Sequence, residues 1–465
     1  MPSFRCSLLV VVLLVVGTAV HAQHPAEPPP TAPAIEGTWS GTLELSTQSL
    51  DVIFQIQTGA DTSATMDVPA QGARGISAST VRITPDSLIL AVAAINGRYA
   101  GTRHADRIEG TWMQNGMTWP LVLMPVPDSL STAPARPQTP TPPFPYDRED
   151  MTLQSADGVT LAGTLTRPTG DGPHPAVVLV SGSGPHTRDS EVMGHKLFRV
   201  VADHLARQGI AAFRYDERGV GASDGVFSRA TYDDFAADVH AAVQMLAARD
   251  DIASVGVYGH SEGGLIAPMV AARSEAVDFL VLLAPPGVPG REIIPEQTAQ
   301  IVAAQGAPSM AVDSVRAQQT RVMDALYTAA DSAAATARVR RILERIGLPS
   351  ARINAQLRVM MSGWYRSFVQ SAPAEVLRQV EVPVLALFAE KDLQILPEQN
   401  RAPLEAALND SDSPSVTVET LSGMNHLFQP ADTGVPSEYR QIETTMAPAV
   451  LERITAWIQS HNKTN

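Results

Sequence analysis

The sequence predicts an α/β protein: a mostly parallel sheet with helices on both faces and a helical cap inserted into it, preceded by a small antiparallel all-β domain. Three observations lead there. From residue 147 onward, short continuous apolar runs alternate with amphipathic stripes, as expected for strands buried on both faces and the helices that cover them. Between residues 290 and 378 the alternation pauses and only helical periodicity remains. Ahead of residue 126 the period is two, and no helical period competes with it.

The N-terminus reads as an export signal over residues 1–22. Arg5 supplies the positive start, Leu8 to Val16 is an unbroken apolar run, and Val20 and Ala22 are small residues suited to a cleavage site. A membrane anchor is the alternative, but the run falls short of the ~20 residues a spanning helix needs. Cleavage implies a periplasmic or secreted chain with no stable membrane insertion. It also removes Cys6, the single cysteine. The mature chain then has no thiol for a disulfide, a nucleophile or a thiolate metal site.

Residues 23–34 are rich in Pro and Ala and read as a disordered arm. The β-rich domain, a barrel or sandwich, spans 35–125. Leu50, Val52, Phe54 and Ile56 alternate, as do Trp119, Leu121 and Leu123, while Asn96-Gly97 and Asn115-Gly116 are hairpin-turn dipeptides. The string Ile-Glu-Gly-Thr-Trp occurs at 35–39 and again at 108–112. Two equivalent strand starts would explain it, with chance among Gly/Trp strand entries as the alternative. Residues 126–146 hold many prolines and read as a semi-rigid polyproline spacer.

The α/β region covers 147–289 and 379–465. Asp157-Gly158 turns an opening hairpin, and Ala176 to Val180 is a buried strand. Leu197, Val201 and Leu205 form a helix ended by Gly209, and Ile210 to Tyr215 returns to the sheet. Thr231 caps the helix carrying Phe235, Val239, Ala242, Val243 and Leu246. Val255 to Tyr258 and Phe279 to Leu283 are further strands. Within the cap, one stripe is Val339, Ile342, Leu343 and Ile346, and another is Ile353, Leu357, Met361, Trp364 and Phe368. Val384 to Ala389 and Val416 to Leu421 resume the sheet, and a final helix carries Val450, Leu451, Ile454, Trp457 and Ile458.

The length of 465 residues predicts two or three domains. A net charge of -14 provides no overall field for nucleic acid or an anionic membrane. No metal-binding or phosphate-binding motif is present, so no cofactor is implied.

The chemistry concentrates in Gly259-His260-Ser261-Glu262-Gly263. A strand ends just before it and a helix begins just after, the setting that lifts a serine hydroxyl above a sheet. Such a serine needs a base, and the base needs an acid to fix its tautomer. Asp392 follows Val384 to Ala389 directly, at the carboxyl end of that strand where ligands of such sheets lie. Glu390 is the rival acid, less well placed because it is so close to the strand end. His426 follows the strand Val416 to Leu421 and is the candidate base; the only later histidine is His461, near the C-terminus. The Glu262 N–H and the Ser183 N–H, with Gly184 second, are the candidate oxyanion donors. Ser183 lies in Ser181-Gly182-Ser183-Gly184-Pro185, directly after a buried strand. Asp216 and Arg218 read as braces for a loop near the site.

Residues 147–460 resemble bacterial α/β-hydrolases, in particular an exported carboxylesterase group related to the EstD-type esterases. The likeness is carried by 181–185, by Arg214-Tyr215-Asp216 with Arg218-Gly219-Val220-Gly221, and by Gly259 to Gly264. It continues through Glu390-Lys391-Asp392 and Gly423-Met424-Asn425-His426. The front segment also looks like the N-terminal domain of some members. Ser181 departs from the pattern, standing where many relatives carry a His-Gly pair. The resemblance implies a serine hydrolase that cleaves small-molecule carboxylic esters without a cofactor. Peptide or amide cleavage by the same residues is the first alternative, and a non-catalytic protein binding through its front domain is the second.

Overall fold

A computed structural model describes residues 35–461 apart from 46–47, 59–61, 69–72, 93–94, 96, 115–116, 127–135 and 171. The expected export signal, the arm, Asn96, Asn115-Gly116 and the middle of the Pro-rich segment lie outside the described residues. Two compact units divide between Ala133 and Pro134.

The front unit is a single antiparallel sheet. Its strands are β1 (Gly37–Leu45), β2 (Gln48–Gln57), β3 (Ser63–Val68), β4 (Ala73–Ser77), β5 (Thr80–Ile83), β6 (Ser87–Val92), β7 (Gly97–Arg103), β8 (Ile108–Gln114) and β9 (Met117–Pro125). They follow one another in chain order, and β9 returns to pair with β1, so the sheet coils with its opening between β4 and β5. Alternate residues point inward, and Trp39, Phe54, Tyr99 and Trp112 fill the centre. The two copies of the repeated string start β1 and β8, the two strands that flank β9, and both tryptophans are buried.

The second unit holds β10 (Tyr146–Gln154), β11 (Thr160–Pro168), β12 (His174–Val180), β15 (Ala211–Tyr215), β16 (Ile252–His260), β17 (Phe279–Leu283), β18 (Val384–Ala389) and β19 (Val416–Leu421). A two-residue hairpin, β13 (Glu191–Val192) with β14 (His195–Lys196), stands apart from the sheet. The sheet order is β10-β11-β15-β12-β16-β17-β18-β19. Pairing is antiparallel from β10 through β15 and parallel from there to β19. Central strands such as β15, β17 and β18 are buried along their whole length, which is why they read as unbroken apolar runs.

Helices α1 (Leu197–Arg207), α2 (Tyr232–Ala247), α3 (Gly263–Ala271), α10 (Pro397–Asn409) and α11 (Pro448–His461) belong to this α/β body. At α2 the Thr231 hydroxyl and the Asp234 carboxylate satisfy each other's backbone N–H groups, a capping box. The cap is built of α4 (Gly290–Ala304), α5 (Ser309–Tyr327), α6 (Ser332–Arg345), α7 (Ser350–Met360), α8 (Gly363–Gln370) and α9 (Pro373–Leu377). It has its own apolar core, with Val322, Val339, Leu343, Ile353 and Leu357 among its buried members.

Two expectations need correction. The stripe from Ile353 to Phe368 belongs to two helices rather than one. Ser362 breaks it: its Oγ donates to Val359 O at 2.6 Å, closing α7, and accepts from Tyr365 N at 3.1 Å, opening α8. The Pro-rich segment, expected as a semi-rigid spacer throughout, is instead tied down over its second half. Arg136 donates to Ile442 O and Arg440 O at 2.9 and 2.8 Å. The Gln138 amide receives Thr445 N and Met446 N and donates to Met446 O. These bonds fasten the segment to the α/β body, because side chains interspersed among the prolines find exposed carbonyl and amide groups there.

Candidate active site

Ser261 stands between β16 and α3 with a φ of +54°, a left-handed conformation that costs a non-glycine residue energy and is tolerated where the surroundings hold it. Its N–H donates to Leu283 O at 2.8 Å, and the Gly264 N–H donates back to Ser261 O at 2.8 Å. The flanking glycines make the turn possible: a Cβ on Gly259 would collide with Gly263 O, and one on Gly263 would collide with Val180 O. The loop after β12 lies directly against the serine, since a Cβ on Gly182 would sit 3.3 Å from Ser261 Cβ.

Asp392 lies just past β18 and is 1% exposed. Its Oδ1 accepts the N–H groups of Gln394 and Ile395 at 2.7 and 2.9 Å, and its Oδ2 faces His426 Nδ1 at 2.7 Å. A carboxylate at that distance from Nδ1 favours the tautomer with its proton there, the one in which Nε2 faces away with its lone pair. The histidine loop is held from inside by Asn425, whose Oδ1 accepts Leu427 N and Gln429 N at 3.0 and 3.1 Å. Glu390, the rival acid, points elsewhere: its carboxylate accepts Ser422 Oγ and Gly423 N at 2.6 and 2.7 Å. Those two bonds, led by the Ser422 hydroxyl, hold its pKa below the usual range. Glu390 thereby pins the turn that leads to His426, and Lys391 N–H to Met424 O at 2.8 Å adds a second tie.

Ser261, Asp392 and His426 thus all stand at the carboxyl edge of the parallel strands. Ser261 Oγ and His426 Nε2 are not hydrogen-bonded to each other among the described residues. In free enzymes such bonds are often long and tighten only with substrate. His260 joins the two segments instead: its Nε2 meets His426 O at 2.9 Å, and the two rings are 4.9 Å apart. Burial, with the neighbouring His426, pushes the His260 pKa down to about 3, so it is a neutral spacer.

The N–H groups of Glu262 and Ser183 donate to no acceptor within the chain among the described residues, and both lie beside Ser261. The Glu262 side chain is one that sequence reasoning missed. It is buried, and burial pushes its pKa up to about 7. Ser183 Oγ and Trp364 Nε1 donate to it at 2.8 and 2.6 Å. Glu217 is also buried, its pKa raised by desolvation and then by Glu262, and it accepts His186 N at 2.7 Å. Asp216 and Arg218 act as braces: Asp216 pairs with Arg188 at 2.9 Å, and Arg218 with Asp238 and Asp157 at 2.6 and 2.9 Å. No group of three or more His, Cys, Asp or Glu residues able to hold a metal is found among the described residues.

The family described as serine aminopeptidase, S33, matches residues 171–429, more than half of the chain. Esterase EstD of Thermotoga maritima is 25% identical over 317 residues, 68% of each chain. Among solved structures, the Pyrococcus furiosus esterase Pf2001 superposes with a TM-score of 0.43 at 14% identity, covering 68% of this chain and 91% of its own. The α/β-hydrolase GrgF from Penicillium sp. sh18 gives 0.44 at 17% identity, covering 68% and 100%. The chain belongs to the serine aminopeptidase S33 family and has the α/β-hydrolase fold.

Proposed function

From membership of that family, we propose that this chain hydrolyses carboxylic esters through an acyl-enzyme, with Ser261 as nucleophile, His426 as base and Asp392 as the acid that orients it. One observation carries the reading: a buried Asp392–His426 pair at 2.7 Å, at the sheet edge where a strained turn lifts Ser261. The esterase name of the Thermotoga relative supports the choice of esters.

Ser261 Oγ attacks the ester carbonyl carbon as His426 Nε2 takes its proton. The carbonyl oxygen, now negative, is held by the Glu262 and Ser183 N–H groups; losing one such donor typically costs about a hundred- to a thousand-fold in rate. The protonated imidazole, stabilised by ionised Asp392, passes its proton to the departing alcohol. Water then attacks the acyl-serine carbonyl, giving its proton to His426; the Ser261 Oγ–acyl bond breaks, His426 returns that proton to Ser261 Oγ, and the acid leaves. Atoms balance with ester and water alone.

The family's own description favours a second reading, in which the same residues cleave an amide next to a free amino terminus. The full chain and its Ser261→Ala variant, assayed on p-nitrophenyl esters of graded acyl length and on aminoacyl p-nitroanilides, separate the two. Ester cleavage that vanishes in the variant is expected. Anilide cleavage outpacing ester cleavage would move the enzyme to the second reading, and activity unaffected by Ser261→Ala would end both. We also place the enzyme outside the cytoplasm, on the N-terminal sequence alone. N-terminal sequencing of exported protein should begin at Gln23.

A further inference from the structure

Glu262 enters the reaction above through its backbone N–H, and its side chain has no part there. Yet the residue is 5% exposed and both carboxyl oxygens are engaged, each by a different part of the molecule. Oε2 accepts from the hydroxyl of Ser183, the residue whose own N–H is the second oxyanion donor, at 2.8 Å. Oε1 accepts from the indole N–H of Trp364, near the start of α8 in the cap, at 2.6 Å. The other groups facing this carboxyl are the buried Tyr232 hydroxyl at the start of α2, which forms no well-aligned bond to it, and Glu217 after β15. No lysine or arginine hydrogen-bonds to it among the described residues.

A buried carboxyl satisfied only by neutral donors is costly, and an apolar side chain of similar size would pack there at less cost. What the carboxyl supplies is a fixed geometry. The seating of α8 makes that geometry specific. Its first residue, Gly363, leaves no room for a Cβ over Arg229 O. Tyr232 N donates to Ser367 Oγ at 3.3 Å, and the Trp364 ring packs on Phe227 at 5.5 Å. The indole N–H therefore reaches Glu262 only with the cap seated.

We propose that the Glu262 side chain is a positioning residue that couples seating of the cap to placement of the two oxyanion donors, through Trp364 Nε1–H to Oε1 and Ser183 Oγ–H to Oε2. The coupling rests on the ester-hydrolase reading above. It survives a change of protonation: in the neutral acid, Oε2–H donates to Ser183 Oγ while Oε1 still accepts from the indole. Glutamine reproduces that neutral arrangement and leucine does not.

The test measures kcat and KM of the full chain on one p-nitrophenyl ester, alongside thermal melts. Trp364→Phe keeps the ring and removes the N–H, and Ser183→Ala removes the hydroxyl and keeps the backbone donor. Each should lower kcat by about tenfold with KM little changed, the scale of one hydrogen bond to a charged group. Because the two act through one carboxyl, the double variant should lose far less than the product of the single losses. Glu262→Leu should lower kcat at least as much, and Glu262→Gln should restore most of it. Wild-type kcat in both single variants, or losses that multiply independently, overturns the coupling even if Glu262→Leu does not fold. Ser261→Ala run in parallel distinguishes the failures: ester turnover surviving there sinks the ester-hydrolase reading, whereas turnover lost there with a flat series sinks the coupling alone.

Discussion

In the front sheet, aromatic and aliphatic side chains fill the interior, and among the described residues no buried polar or charged residue precedes Ser155. Even the Tyr99 hydroxyl is spent on carbonyls, at 3.1 Å from Ile108 O and 3.3 Å from Leu121 O. The α/β unit buries Glu217, Glu262, Asp238, Asp392, His195, His260, His426, Arg214 and Arg218. Burying such groups opposes folding unless each is paired, so their concentration in one unit marks where structure is arranged for more than stability. Among the described residues the front sheet is packed by apolar side chains, and the α/β unit holds the candidate active site.

The sharpest break of that comparison comes at the proposed acid. Asp392→Asn should lower kcat by roughly 10⁴-fold, because the amide favours the wrong imidazole tautomer. Glu390→Gln, two residues away, should change kcat by only a few-fold, since Glu390 holds a turn. Steady-state kinetics on one ester checks both. Comparable losses would mean that the acid has been misassigned.

The front unit should answer in a different currency. Trp112→Ala removes a fully buried ring and should cost about 3–5 kcal/mol of that unit's stability. The kcat of folded protein should stay unchanged. Denaturant unfolding followed by tryptophan fluorescence, with the ester assay alongside, reads both, and a large fall in kcat would break the division of labour.

A smaller effect tests the buried carboxyl. Burial lifts Glu262 from 4.5 to about 7, so between those values the folded chain holds a proton that the unfolded chain has released. Its contribution is therefore full below pH 4.5 and is lost as pH rises toward 7, by about 3 kcal/mol. His260 works in the opposite sense: burial and His426 hold it near 3, so its contribution is lost as pH falls below 6.5. Replacing Glu262 by Gln removes only the first trend. The stability difference between variant and wild type should thus grow in the variant's favour from pH 5 to pH 8. Parallel curves would mean that Glu262 titrates normally.

Much of this organisation was legible in the sequence because it is local. Period-two and helical stripes report which face of each element is buried, and Gly259 to Gly263 carries its own reason for a tight turn. The candidate acid and base could be placed because each lies a few residues beyond the end of a strand. What could not be read depends on contacts between distant residues. Glu262 meets Ser183 across 79 positions and Trp364 across 102. Trp364 read as one more member of an apolar stripe, though its ring edge does polar work. The break at Ser362 was hidden because the stripe keeps its period across it. Arg136 and Gln138 were lost among prolines, since composition does not reveal that carbonyls more than three hundred positions away will capture them.

The central claim, that Ser261 is the nucleophile activated by the Asp392–His426 pair, is tested most directly by mapping a fluorophosphonate adduct by mass spectrometry on the full chain. One adduct per chain, on the peptide holding Ser261 and lost when His426 is replaced by Ala, is the predicted result. An adduct on another residue, or steady ester turnover by a chain that takes no label at Ser261, would contradict it.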